Sequence, residues 1–195
     1  MTEKPPIFVT FATPDYAAES KRLIASFKRF GLEYFSESFM DTGRWVTNCG
    51  HKPIFLKEMM VKYPDRAVVW VDADAEVKKE PRELLTMPSW ADVGACRYTW
   101  KKGRKTELLS GTIYLKNNEI AHDVVDEWVK TQRRAPQLWD QVTLDEVLRR
   151  LRHVLFYALP VEYCFITDFH RDENPGIEPV IEHYQKSREM RLKKP

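Results

Sequence analysis

Apolar residues in the first half of the chain fall alternately into short continuous runs and into helical spacing. The run IFVTFAT, from Ile7, predicts a strand. DYAAESKRLIASFKRF predicts the helix after it, with Asp15 near the N-cap and Gly31 just past the end as a stop signal. LEYFSESF reads as a second strand. The stretch DTGRWVTNCGH reads as a loop into a helix that begins near Pro53, a residue suited to a first helical turn, and runs through IFLKEMMVKY. A third strand, AVVWVDAD, lacks polar alternation, which is the pattern of a strand covered on both faces, and so reads as the centre of the sheet.

Beyond it, EPRELLTMP predicts a short turn or helix. ADVGACRYTW and TELLSGTIYLK predict a hairpin whose tip is the basic KKGRK. Ile120, Ala121, Val124, Val125 and Trp128 share one helix face, and Leu144, Val147, Leu148 and Leu151 share another. VLFYALP predicts a last strand, followed by VEYCFI and a polar tail in which DENPG is a loop by composition. The whole predicts a single α/β domain: a mixed, mostly parallel, Rossmann-like sheet flanked by helices, with a core over about residues 7–188 and a basic C-terminal tail.

The central strand ends in AVVWVDADAEVKKEP, where Asp72 and Asp74 stand two residues apart. If the extended geometry persists, both carboxylates face the same way at the carboxyl edge of the sheet, where open α/β sheets bind ligands. Adjacent carboxylates repel, and a hard divalent cation relieves that repulsion. Capping of the next turn, or pairing with Lys78 and Lys79, explains the same residues without a metal.

Length, charge and cysteine count narrow the function classes. At 195 residues the chain fits one domain. Its net charge of +2 is too mild to announce nucleic-acid binding without a clustered basic face, and KKGRK and KSREMRLKK are the clusters that keep the question open. The six Trp, eight Tyr and ten Phe are enough for platforms under flat ligands as well as for a core. Cys49, Cys96 and Cys164 are odd in number and widely spaced, which argues against a disulfide framework or a zinc site and for reduced, buried thiols. The longest apolar runs fall far short of the ~20 residues of a membrane span, and MTEKPPIFVT has no basic-then-apolar leader, so a cytoplasmic location is expected.

VVWVDADAEVKKEP resembles the D-x-D segment of GT-A-type glycosyltransferases. LLSGTIYLKNN is similar to the Ser-Gly strand of the glycogenin-like and related nucleotide-diphospho-sugar transferases, WDQVTLDEVL to their Asp-Gln helix start, and PVIEHYQKSR to the region carrying their metal-binding His. The order of these segments runs from Ile7 to about Arg188. The resemblance implies transfer of a hexose or pentose from a nucleoside diphosphate sugar to a hydroxyl acceptor, with retention of configuration. It further implies that Asp74 and His183 bind a divalent metal directly while Asp72 meets the donor ribose or reaches the metal through water. Mixed oxygen and imidazole ligands favour Mn2+ over Mg2+.

By the same resemblance TFATPDY meets the nucleotide, so Thr10, Ala12, Thr13 and Tyr16 are donor-site candidates. Arg44, Lys52 and Lys186 are candidates to neutralise the diphosphate. Ser110 and Gly111 suit a close approach of backbone to sugar, although a strand Gly also marks bulges. Asp140 and Gln141 are candidates for the reaction centre, and Asp140 also suits an N-cap. Lys101, Lys102, Arg104 and Lys105 suit a polyanionic acceptor, including DNA with a hydroxylated base. Two alternatives stand beside this reading. One is a haloacid-dehalogenase-type phosphohydrolase, whose D-x-D normally lies on the first strand. The other is a non-catalytic nucleotide- or nucleic-acid-binding module.

Overall fold

The computed structural model describes residues 4–101 and 105–193. In chain order the elements are β1 (Ile7–Ala12), α1 (Ala17–Arg29), β2 (Tyr34–Ser38), α2 (Trp45–Gly50), α3 (Lys52–Lys62), β3 (Val68–Val71), β4 (Ala75–Val77), α4 (Arg82–Leu85) and β5 (Val93–Thr99). They continue with β6 (Thr106–Leu115), α5 (Glu119–Arg134), α6 (Asp140–Arg150), β7 (Phe156–Leu159), β8 (Phe165–Ile166), α7 (Thr167–Glu173), β9 (Ile181–His183) and α8 (Ser187–Lys193). None of the described helices is long and apolar enough to cross a membrane.

The main sheet has the order β2-β1-β3-β6-β5-β7. β1 runs parallel to β2 and β3, β6 runs antiparallel to β3 and β5, and β7 returns parallel to β5. The fold is therefore the expected mixed α/β domain. Strand residues alternate between two cores. Ile7, Val9, Phe11, Val68 and Trp70 pack with α3, α5 and α6 on one face, whereas Phe8, Val69 and Val71 pack with Leu23 and Phe27 of α1 on the other. Burial on both faces is why β3 can be apolar at every position.

Local signals explain several boundaries. A 3-10 turn, Pro14–Tyr16, precedes α1, so Asp15 lies in that turn and Tyr16, not Asp15, takes the N-cap. Gly31 adopts the left-handed φ of +63° that ends α1, as its type predicts. α2 replaces part of the expected loop.

The largest departure is the C-terminal region. Where polar composition predicts a tail, the chain forms α7, β9 and α8, and β9 is the middle strand of a second sheet ordered β4-β9-β8. β4 and β9 pair antiparallel with Ala75 opposite His183, while β8 pairs parallel with Ile166 opposite His183. This small sheet fixes the turn after β3 against a strand more than a hundred residues further on.

Candidate active site

Strand directions define one edge of the main sheet. β1, β3 and β5 all end there, and β6 begins there, so Ala12, Asp72, Ser110 and Trp100 gather round a single cleft of about 450 Å3. This is the carboxyl edge where ligands of open α/β sheets bind.

The two carboxylates converge by a turn rather than by strand alternation. β3 stops at Val71, and Ala75 N–H donates to Asp72 C=O at 3.0 Å, closing a tight turn over Asp72, Ala73 and Asp74. Asp72 N–H donates to Gly111 C=O at 2.8 Å, and Asp74 C=O accepts from Tyr184 N–H at 3.2 Å and from Arg22 at 3.3 Å. The indole N–H of Trp70 donates to Asp72 Oδ1 at 2.7 Å, and Lys186 N–H donates to Asp74 Oδ2 at 2.9 Å.

Among the described residues, Asp72, Asp74 and His183 form a cluster whose ligand atoms lie within 4.8 Å of one another. Their chemistry suits a cation. Burial first, then the neighbouring charge of Asp72, raises the Asp74 carboxyl to about 7, a strain that a divalent ion removes. Burial and the nearby Lys52 charge lower His183 to about 3, so its imidazole is neutral and keeps a lone pair for a metal. Thr112 Oγ1 lies 3.1 Å from His183 Nε2 and fixes the ring. Gly111 makes room for it: a Cβ there would stand 2.7 Å from His183 Cε1.

Lys52 is nearly fully buried, and its ammonium bridges Asp72 Oδ1 at 2.9 Å and Asp140 Oδ2 at 2.6 Å while donating to Ser110 C=O at 3.1 Å. Burial opposes its charge, but Asp140 and Asp72 together outweigh that and hold the ammonium above its ordinary value. Its charge is shared between two carboxylates within the cleft lining. Asp140 lines the cleft, and only its N-cap alternative fails. It is the first residue of α6, Trp139 takes the N-cap without a side-chain bond, and the Asp140 carboxylate accepts from Lys52 and from Ser110 Oγ at 2.9 Å.

Of the other candidates, Ala12, Thr13, Tyr16, Ser110, Gly111 and Gln141 line the cleft. Ser110 and Gly111 sit where β5 and β6 shift register, so the bulge predicted for the Gly occurs, and the group that approaches it closely is the His183 ring. Thr10, Arg44, Lys101, Lys105 and Lys186 are not among the lining residues. Thr10 is fully buried on the α1 side of β1, next but one to Phe8. Arg44 precedes α2, and Lys186 pairs with Glu19 at 2.9 Å. Lys105 pairs with Glu107 at 2.6 Å, and Lys101 donates to the Glu173 carbonyl. Lys102 and Arg104 lie outside the described residues.

Sequence reasoning missed Trp45, Trp100, Glu107, Phe169 and Arg191, all of which line the cleft. The Arg191 guanidinium of α8 lies 4.2 Å from the Trp139 ring centroid and 4.8 Å from that of Trp45, and it makes no ion pair among the described residues. The aromatic surplus was the available signal for Trp45 and Trp100; nothing in the sequence singles out Arg191 from the other basic residues near it.

A sheet of this order with a carboxylate-and-histidine cleft at its carboxyl edge fits the GT-A-type glycosyltransferases that the sequence resembles. The chain belongs to the nucleotide-diphospho-sugar transferase family, whose family model matches residues 53–191. A search of curated protein sequences finds no match. Among solved structures, a glycosyltransferase involved in glycosylation of the major capsid of PBCV-1 is similar with a TM-score of 0.72 and 14% identity, over 96% of this chain and 97% of that one. The apo form of the glycosyltransferase GlyE of Streptococcus pneumoniae TIGR4 gives 0.62 and 14%, over 93% of this chain and 54% of GlyE. A second GlyE structure gives 0.62 and 16% over the same shares, so the chain spans about half of GlyE. At these identities the likeness speaks for the fold. Membership of the family sets aside the phosphohydrolase reading.

Proposed function

We propose that the protein transfers a sugar from a nucleoside diphosphate sugar to a hydroxyl acceptor, that the chain through α8 forms one transferase domain, and that the reaction depends on a divalent metal. The observation that carries the metal is the cluster of Asp72, Asp74 and His183 in the cleft. Asp74 and His183 would hold the ion, with Asp72 beside them, and the mixed oxygen and nitrogen set favours Mn2+ over Mg2+. A divalent ion held there would supply Lewis-acid stabilisation of the negative charge on the departing nucleoside diphosphate.

The rest of the chemistry falls to the chain. Ala12, Thr13 and Tyr16 line the end of the cleft nearest β1 and are proposed to take the nucleotide. Arg191 is proposed to face the diphosphate, in place of Lys52, Arg44 and Lys186, because it is a cleft cation with no described ion pair and its guanidinium is braced on two indoles. A fixed cation there stabilises the leaving group more in the transition state than in the ground state. Lys52 holds Asp72 and Asp140 in register, and Ser110 orients Asp140, so the Asp140 and Gln141 side of the cleft is proposed to orient the sugar. Retention of configuration is proposed on the likeness to the glycogenin-like enzymes.

A DNA acceptor has less support than a sugar, because Lys101 is engaged by Glu173 and Lys105 by Glu107, and both lie off the cleft lining. The deciding experiment is nucleoside diphosphate release from a panel of nucleotide sugars with Mn2+, comparing wild type with Asp74→Asn. Turnover of one donor, lost in the variant, is expected. Equal turnover by both proteins sinks the metal assignment, and silence over the panel with and without acceptors sinks the transferase reading.

A further inference from the structure

The cleft continues past the carboxylates. Strand order along its edge is β1, β3, β6, β5, so the segments around Trp100 and Glu107 stand on the opposite flank of Asp72 and Asp74 from Thr13 and Tyr16. Trp100 and Phe169 line this far end, with Leu109 and Ile166 between. The Trp100 ring stacks on buried His170 at 5.4 Å and meets Tyr98 edge-on at 4.8 Å and Phe169 edge-on at 5.4 Å. Its position is therefore fixed from the protein side, while Phe169 remains 47% exposed. The Trp100 indole N–H donates to Glu107 Oε2 at 2.9 Å, which aims the carboxylate at the same wall of the cleft. Contact with Lys105 holds the Glu107 carboxyl below its ordinary value, so it is an anion at neutral pH.

The braced Trp100 ring, the exposed Phe169 ring with the Arg188 guanidinium 4.0 Å from its centroid, and a carboxylate together complement a pyranose. The apolar C–H face of the sugar packs on the aromatic surface, and its hydroxyls donate to the carboxylate as charge-assisted hydrogen bonds. The described cations at this wall are already paired, Lys105 with Glu107 at 2.6 Å and Arg188 with Asp168 at 2.9 Å, so it offers a phosphate-bearing acceptor no spare positive charge. None of Trp100, Glu107 and Phe169 is on the nucleotide side of the cleft, so the donor leaves them free for a second substrate.

We propose that Trp100, Glu107 and Phe169 form the acceptor subsite and that it takes an uncharged sugar ring. This rests on the glycosyl-transfer reading above. In the reaction the bond from the donor sugar C1 to the diphosphate oxygen breaks with its electron pair leaving on that oxygen. A bond from C1 to the acceptor hydroxyl oxygen forms, and the hydroxyl proton passes to the departing diphosphate.

The test uses the full chain, Mn2+, the donor identified above, and methyl glycosides of glucose, galactose, mannose and xylose as acceptors, with a short DNA duplex as the competing arm. Saturation-transfer NMR reports glycoside binding directly. At least one glycoside is expected to bind and to accelerate nucleotide release. Phe169→Ala, at an exposed ring, and the isosteric Glu107→Gln should each raise its KM about tenfold or more, with the donor KM within about twofold of wild type. The proposal is overturned if no glycoside binds, if the variants leave the acceptor KM unchanged, or if only the duplex accelerates release. Absence of donor turnover in the acceptor-free and acceptor-containing arms of wild type overturns the transferase reading itself, and the subsite with it.

Discussion

Substituting Gly111 with Ala separates steric from chemical contributions at the proposed metal site. A Cβ at this position would lie 2.7 Å from His183 Cε1, 2.9 Å from its Nδ1 and 3.0 Å from Cys164 Sγ. Ordinary contact between carbon atoms begins near ~3.5 Å, so the ring must retreat by roughly 0.8 Å. It has little room to do so, because β9 is paired on both sides at His183 and Thr112 holds Nε2. Gly111 does not occupy the left-handed region, so Ala on backbone entropy alone would stabilise the fold by about 0.4–1 kcal/mol. Overpacking opposes this with about 1–3 kcal/mol, and a net loss of stability is expected.

A shift of that size also exceeds the roughly 0.2 Å tolerance of a metal–ligand distance, so Mn2+ affinity should fall about 10- to 100-fold. Urea unfolding and calorimetric Mn2+ titration measure the two effects. Gly94→Ala is the control: its Cβ meets the flexible Met87 Cε at 3.1 Å and Tyr114 Cβ at 3.3 Å, away from the cleft, so it should disturb packing without changing Mn2+ affinity. In the double variant Gly111→Ala with His183→Ala, stability should exceed the sum of the single effects, whereas metal binding should stay lost. Wild-type Mn2+ affinity in Gly111→Ala, or an equal loss in Gly94→Ala, would refute the reasoning.

Three further outcomes are expected. Lys52→Met leaves Asp72 and Asp140 facing each other without their shared cation and should cost about 3–5 kcal/mol in urea unfolding; a loss under 1 kcal/mol would contradict the bridging role. Arg191→Gln should raise the donor KM about tenfold, while Lys186→Gln, whose side chain pairs with Glu19, should change it less than threefold; the reverse order in steady-state assays removes Arg191 from the diphosphate. His170 is buried, and burial lowers it from 6.5 to about 4, so between those pH values the unfolded chain binds the proton that the folded chain refuses. Stability contributed at this position is therefore complete above pH 6.5 and falls by up to ~3 kcal/mol as pH drops to 4. Melting curves of wild type against His170→Asn should show a shallower acid slope in the variant, and identical slopes would count against the assignment.

Elements buried on two faces were the most legible. β3 declares itself because Val68 and Trp70 must meet one core while Val69 and Val71 meet the other, leaving no polar position. β9 was illegible for the opposite reason. Three residues, Ile181–His183, carry too little pattern to register, and their strand conformation comes from pairing with β4 and β8. Asp72 and Asp74 were legible as a pair, but the turn that joins them was not, since Asp-Ala-Asp is compatible with both an extended and a turned backbone. Lys52 illustrates a finer limit. Its place beside the cleft follows from the helix that starts there, whereas its partner Asp140 is 88 residues later and only the packed fold brings the two together.

The pairing of Ala75 with His183 has a consequence for the order of events during biosynthesis. Asp72 and Asp74 leave the ribosome more than a hundred residues before His183 does, and loop closure over that distance must precede completion of the cluster. A nascent chain lacking β9 therefore has an unfinished ligand set, whatever the state of its main sheet. With the proposed metal site, residue order alone would withhold donor chemistry from unfinished chains.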